Sequence, residues 1–244
     1  MADKLKQELD AFQGVWKGGY FEGDPLDPFA PSYFGEFGFM SVLHATYLRC
    51  IKPYVHADTV ALEIGPGRGG WTRTMLGARE VYALDALSAG HNRFFEYLGH
   101  PKHVHYFQVQ DFSCRELPDA HFNYMFSFGC LCHVSFEGIS QYARNTFAKM
   151  QPGAECFWMI ADYEKYNWAV ANFGNAMSVR AGDKSPRRHQ PIAMDADDEP
   201  REGGRWYHAG VGRTCEVLES AGYRIVDPDV GTNLRDPIIY FRKP

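Results

Sequence analysis

The stretch from Ala61 to Trp71, reading ALEIGPGRGGW, restricts what this chain can fold into more than any other. Thr59 to Ile64 is an apolar run of strand length, and Gly65, Gly67, Gly69 and Gly70 follow it at once. Glycine tolerates the positive φ angles of a sharp turn and, having no Cβ, lets the backbone come close to a ligand. A buried strand running into such a turn points to a nucleotide-type cofactor. Glu63 stands two residues ahead of the turn, and two cofactor classes fit the glycines.

Downstream, strands alternate with helical patterns: strand 59 to 64, helix 70 to 78, strand 80 to 84, helix 88 to 98, strand 103 to 109, strand 122 to 128, helix 137 to 150 and strand 154 to 161. That alternation gives a parallel sheet covered on both faces. Leu117-Pro118-Asp119 leaves room for at most a short helix between the third and fourth strands. Helix 208 to 221 and strands 223 to 227 and 237 to 242 close the chain, and the last two are near enough to pair antiparallel. The expected fold is α/β: a doubly wound seven-stranded sheet, mostly parallel, with an antiparallel terminal strand.

Two segments lie outside the alternation. Leu5, Leu9 and Phe12 share one face of a short helix over 3 to 13, residues 14 to 38 crowd Gly, Pro and aromatics into loop, and Met40 to Tyr54 reads as a helix ending near Pro53. Residues 1 to 56 are expected to form an N-terminal helical lid, and 57 to 244 the cofactor domain. After Tyr163 comes a polar stretch of roughly forty residues rich in charge and Pro, expected to be a cap (164 to 205) inserted after the fifth strand.

The formal net charge is −5 and no long block of Lys and Arg occurs, which argues against a nucleic-acid partner, because phosphate backbones demand clustered positive charge. No apolar run approaches bilayer length and no leader-like start is visible, so a cytoplasmic location without membrane association is expected. The six cysteines lack zinc-like spacing and are expected to be reduced, mostly buried thiols. The expected partner is a small-molecule substrate, with a homodimer left open.

Gly65-Pro66-Gly67-Arg68-Gly69-Gly70 can be parsed as the dinucleotide fingerprint, with Asp85 closing the next strand to meet a ribose. Three features pull away from an NAD(P)-dependent oxidoreductase. Glu63 lies inside the strand end, where a buried carboxylate needs a partner that a ligand ammonium would supply. Asp111-Phe112 follows the third strand, where a carboxylate and a ring can bracket an adenine. Some 58 residues precede the first strand, and the terminal strand pair is a different sheet ending.

With those residues in view, Val60 to Tyr163 together with Arg205 to Arg242 resembles a class I S-adenosylmethionine-dependent methyltransferase of the small-molecule type. Glu63, Gly65, Gly67 and Gly69 match the family's E/D-x-G-x-G-x-G pattern, and Asp85 its acid at the end of strand two. The resemblance implies S-adenosylmethionine as cofactor and S-adenosylhomocysteine as product. It implies that the glycine turn approaches the methionine part, that Asp85 with Ala86 beside it binds the ribose, and that Asp111 contacts the adenine amine while Phe112 packs on the ring. Ser127, at the end of the fourth strand, completes the expected cofactor set. A cofactor binder without catalysis stays open as the non-enzymatic alternative.

Methyl transfer is an in-line displacement, so alignment of the nucleophile and exclusion of water are the enzyme's tasks. An oxygen nucleophile also needs a base. His133, just past the fourth strand, is expected to be that catalytic base, since imidazole accepts a proton near neutral pH. The strand lacks the Asn/Asp-Pro-Pro-aromatic signature that looks typical of enzymes methylating nucleobase amines or glutamine, which weakens a nucleic-acid or protein-amide acceptor. Because a candidate base is present, a hydroxyl on a small polar metabolite, such as a sugar or natural-product intermediate, is favoured over N-methylation. Asp162, Tyr163, Tyr166 and Asn167 lie where substrate would approach, and no convincing set of metal ligands is found, so no metal is assigned. Arg180, Lys184, Arg187, Arg188 and His189 can clamp an anionic substituent, although the acidic run from Asp195 to Glu199 can equally neutralise them. Tyr20, Tyr33 and Phe34 are the expected substrate wall.

Overall fold

A computed structural model describes residues 2–15, 18–30, 36–37, 40–173, 191–194 and 206–244. Helix α1 spans Ala2–Val15, and a two-residue ribbon, β1 (Glu36–Phe37) against β2 (Met40–Ser41), leads into α2 (Val42–Thr46) and one π-helical turn, Tyr47–Ile51. The sheet then builds from β3 (Val60–Ile64), β4 (Glu80–Asp85), β5 (Val104–Gln108), β6 (Phe122–Ser127) and β7 (Met150–Met159), with α3 (Phe94–Leu98) and α4 (Phe136–Phe147) between them. Helices α5 (Tyr163–Phe173) and α6 (Val211–Ser220) precede β8 (Arg224–Asp227) and β9 (Ile238–Arg242).

The seven strands lie in the order β5-β4-β3-β6-β7-β9-β8. Only β9 runs antiparallel to its neighbours, β7 and β8, so the chain's terminal strand is the reversed one, as expected. The chain moves outward from β3 to β5 and then returns to the other side at β6. The crevice at the carboxyl ends of β3 and β6 is therefore the topological switch point, where open α/β sheets bind ligands.

Strand alternation sorts the core into two faces. Leu62 and Ile64 of β3 and Trp158 of β7 meet Leu9 of α1, Ile139 and Tyr142 of α4 and Leu218 of α6. Ala61, Phe126 and Phe157 face the opposite way, toward Leu43, Cys50, Ile51, Trp71, Met75 and Phe94. With helices on both sides, β3 is buried at all five positions, which explains why it reads as a continuous apolar run broken only by Glu63.

Two helices are shorter than their sequence patterns. In place of a helix over 70 to 78 there is a single 3-10 turn, Thr72–Met75. Gly69, Gly70 and Gly77 surround it, and Thr72 and Thr74 commit their hydroxyls to Glu63 and to the Trp71 carbonyl, so helix propensity is low. The pattern over 88 to 98 yields only α3. Ser88 Oγ accepts from the His91 amide at 3.1 Å and Arg93 takes a left-handed φ of 54°, which delays the helix. The thiols are all free, and four of the six are buried.

The polar stretch after Tyr163 opens with α5 instead of irregular chain, and Asp162 is the reason. Its Oδ1 accepts from the Lys165 amide at 3.0 Å and its Oδ2 from the Val211 amide at 2.9 Å, so one carboxylate caps α5 and α6 together. Asp162→Ala should lower folding stability by about 2 kcal/mol, at roughly 1 kcal/mol per cap, read as a lower urea midpoint at unchanged m value. A midpoint that does not move would show that water serves both amides equally well.

Candidate active site

At the end of β3 the Gly65 amide donates to the Leu84 carbonyl at 2.7 Å, and φ is +74°. A Cβ there would lie 2.2 Å from Cys130 Cβ, so only glycine lets the turn pass this close to the chain leaving β6. Gly67, at φ +54°, donates its amide to Asp85 Oδ2 at 3.2 Å, while Oδ1 accepts from Leu87 at 2.8 Å. Burial pushes the Asp85 carboxyl up to about 6 against these hydrogen bonds and one from Asn92. Asn92 also donates to the Tyr106 hydroxyl at 2.9 Å, fixing the ring that packs beneath.

A solvent-open cleft of about 710 Å³, open solvent included, lies over this corner. Gly65, Gly67, Asp85, Ala86, Phe112 and His133 all line it, so six of the sequence-assigned residues converge from four separate segments. Leu9 and Phe12 of α1 line it as well, and α1 is held there by Glu8, whose carboxylate accepts from the Ser135 amide at 2.5 Å and hydroxyl at 2.6 Å. Ser135 is the N-cap of α4, directly after His133 and Val134.

Other assigned residues sit elsewhere. Gly69 packs toward Leu98 and Phe94 and serves the turn alone. Asp111 closes a local turn, accepting from the Ser113 amide at 2.9 Å and pairing with Arg115, and does not line the cleft. Ser127 is fully buried and donates to the Ile64 carbonyl at 2.9 Å, tying β6 to β3. Asn167 donates to the Ile192 carbonyl and accepts from the Ile192 amide, both at 2.8 Å, and Tyr166 packs edge-on against Trp206 at 5.0 Å. Both contacts tie α5 to the chain beyond it. Tyr33, Phe34, Arg180, Arg187 and Arg188, with the rest of the charged cluster, lie outside the described residues.

Glu63 differs from its expectation in a specific way. It is 2% exposed, lines no part of the cleft and accepts a hydrogen bond from the Thr72 hydroxyl at 2.5 Å. Its side chain points to the face opposite Ile64, beneath the turn, so its partner is a hydroxyl of this chain. The residues that sequence reasoning missed are Asn92, Leu9, Phe12 and, beside the turn, Glu22 and Trp71, which hydrogen-bond each other at 3.1 Å. Among the described residues no group of three or more His, Cys, Asp or Glu side chains is arranged to hold a metal ion. Nor is any described helix long and apolar enough to cross a membrane.

Burial pushes the Glu63 carboxyl up to about 8, with the charge of Asp85 adding to the effect and the Thr72 bond opposing it. The protonated form is thus favoured in the folded state. The stability linked to Glu63 is full below its ordinary value of 4.5 and is lost as pH rises through about 8. Glu63→Gln, which keeps the neutral shape, should lose less stability than the wild type between about pH 5 and about pH 9 in denaturant titrations. Parallel stability curves for the two proteins would show that Glu63 does not titrate in that window.

No protein-family model matches the sequence, and no curated protein matches it. Solved structures do match. An S-adenosylmethionine-dependent methyltransferase from Mesorhizobium loti aligns over 83% of this chain and 98% of its own, at 20% identity and a TM-score of 0.59. The N-methyltransferase NodS from Bradyrhizobium japonicum WM9, solved with S-adenosyl-L-homocysteine, aligns over 82% and 85% at 12% identity and a TM-score of 0.54. The mitomycin 7-O-methyltransferase MmcR aligns over 77% of this chain and 49% of its own, at 15% identity and a TM-score of 0.51. The chain has the fold of the class I S-adenosylmethionine-dependent methyltransferases.

Proposed function

We propose that this protein is a methyltransferase that uses S-adenosylmethionine to methylate a small polar metabolite. The observation that carries this reading is the convergence of Asp85, the Gly65–Gly67 backbone and Phe112 on one cleft at the switch point of this fold. Asp85 lines the cleft with a carboxylate that backbone amides fix in place, the kind of acceptor that suits ribose hydroxyls. Phe112, 1% exposed, offers an apolar wall suited to adenine. When bound, the cofactor supplies an electrophilic methyl group on a sulfonium.

The chain's own residues do the remainder. Leu9 and Phe12 cover the cleft and exclude water, with α1 acting as part of an N-terminal lid latched through Glu8. His133 lies on the short 3-10 turn Leu131–His133 and lines the cleft beside Gly129 and Cys130. An imidazole there can take the proton of an acceptor hydroxyl as its oxygen attacks, which favours O-methylation. Neighbours on this fold bear both N- and O-methyltransferase names, so the choice rests on His133 and not on the fold.

Calorimetry should register S-adenosylhomocysteine binding, weakened at least about tenfold by Asp85→Ala, because charge-assisted hydrogen bonds contribute about 1.5–3 kcal/mol. Tight NADH binding with no response to S-adenosylhomocysteine would overturn the reading. With labelled S-adenosylmethionine and an acceptor isolated from extract, His133→Ala should lower kcat by about 100-fold or more while S-adenosylhomocysteine still binds. Unchanged turnover would remove His133 from the chemistry and, with it, the preference for a hydroxyl.

A further inference from the structure

A second, smaller cavity of about 330 Å³ adjoins the cleft. The two share Tyr20, Gly65, Gly67 and Gly129, and the smaller one is walled further by Glu22, Trp71 and Phe128. Glu22 comes from the segment after α1, which runs along the glycine turn: the Tyr20 carbonyl accepts from the Arg68 amide at 3.2 Å, and Asp24 pairs with Arg73 at 2.8 Å. One Glu22 oxygen, Oε2, accepts from the Trp71 indole at 3.1 Å. The other, Oε1, lies so near Gly129 that a Cβ there would sit 1.8 Å from it, and among the described residues no hydrogen bond reaches it.

Among the described residues, no cation forms an ion pair with this carboxylate. The charges acting on it are Arg235 and Asp236, and those two are paired with each other at 2.5 Å, so their fields largely cancel. Burial accordingly pushes Glu22 up to about 8. A carboxylate with an idle oxygen, facing a cavity and lacking a counter-charge, is the half of an ion pair that a cationic ligand group completes. Glu63, the buried acid near the turn, accepts from Thr72 and lines neither cavity.

We propose that Glu22 binds the α-ammonium group at the amino-acid end of the cofactor, an assignment that rests on the cofactor reading above. With the nucleoside in the larger cleft beside Asp85 and Phe112, the other end of the molecule crosses the residues common to both cavities. It then enters the smaller one, where Glu22 is the charged residue among the described lining.

The test titrates the full chain with S-adenosylhomocysteine and with its analogue lacking only the α-amino group. The wild type should prefer the amino form by about tenfold or more, the size of a charge-assisted hydrogen bond. Glu22→Gln, checked by circular dichroism for an unchanged fold, should bind the two ligands within about threefold of each other, as expected when that bond is lost. If the wild type binds both forms equally well, or Glu22→Gln keeps the full preference, the ammonium assignment is overturned while the cofactor reading stands. Should the wild type bind neither ligand, the cofactor reading itself falls and the assignment with it. A wild-type preference alone sustains the proposal only together with its loss in Glu22→Gln or, should that variant not fold, in Glu22→Ala.

Discussion

The hydrogen bond from the Gly67 amide to Asp85, with the Leu87 amide on the other carboxylate oxygen, joins the turn after β3 to the end of β4. Everything at the carboxyl edge is placed relative to that joint. The turn reaches Asp85 only because Gly65 and Gly67 occupy positive φ, and it clears the chain leaving β6 only because Gly65 has no Cβ to strike Cys130. Asn92 and Tyr106 then fix the outer side of the corner, while Ser127 ties β6 to the Ile64 carbonyl on the inner side. The cleft is thus preformed by backbone geometry, with few side chains left free to choose.

Onto that rigid corner the N-terminal segment is laid as a strap. Contacts from Tyr20 to Arg68, Glu22 to Trp71 and Asp24 to Arg73 follow the turn residue by residue, and Glu8 of α1 grips the N-cap of α4. Each of these contacts is a polar group meeting a partner the corner presents, and Phe21 of the same segment packs its ring on Tyr97 at 5.3 Å. Segments of that kind open at lower free energy than the sheet beneath them.

Electrostatically the corner is lopsided. Burial raises Glu22, Glu63 and Asp85, and among the described residues no cation acts on Glu63 or Asp85, while Arg235 is committed to Asp236. Glu63 is buried while Glu22 and Asp85 are half-buried, and carboxyls raised in this way weaken the empty protein as pH rises. The same surroundings suit a positively charged ligand.

The sequence by itself determined the alternation of strands and helices, the antiparallel terminal strand, the glycine corner and the acid at the end of β4. These depend on local periodicity and on conformations only glycine tolerates, both of which neighbouring residues announce. It also brought Phe112 and His133 to the edge, since residues just past a strand must lie there. Tertiary structure alone decided what each polar group meets. Asp111 turned to its own Ser113, Asn167 to Ile192, and Glu63 to Thr72, while Glu22, 49 positions from Trp71, became the carboxylate beside the turn. A buried acid takes whichever donor packing brings within 3 Å or so, and packing across such separations leaves no periodic trace in the residues themselves.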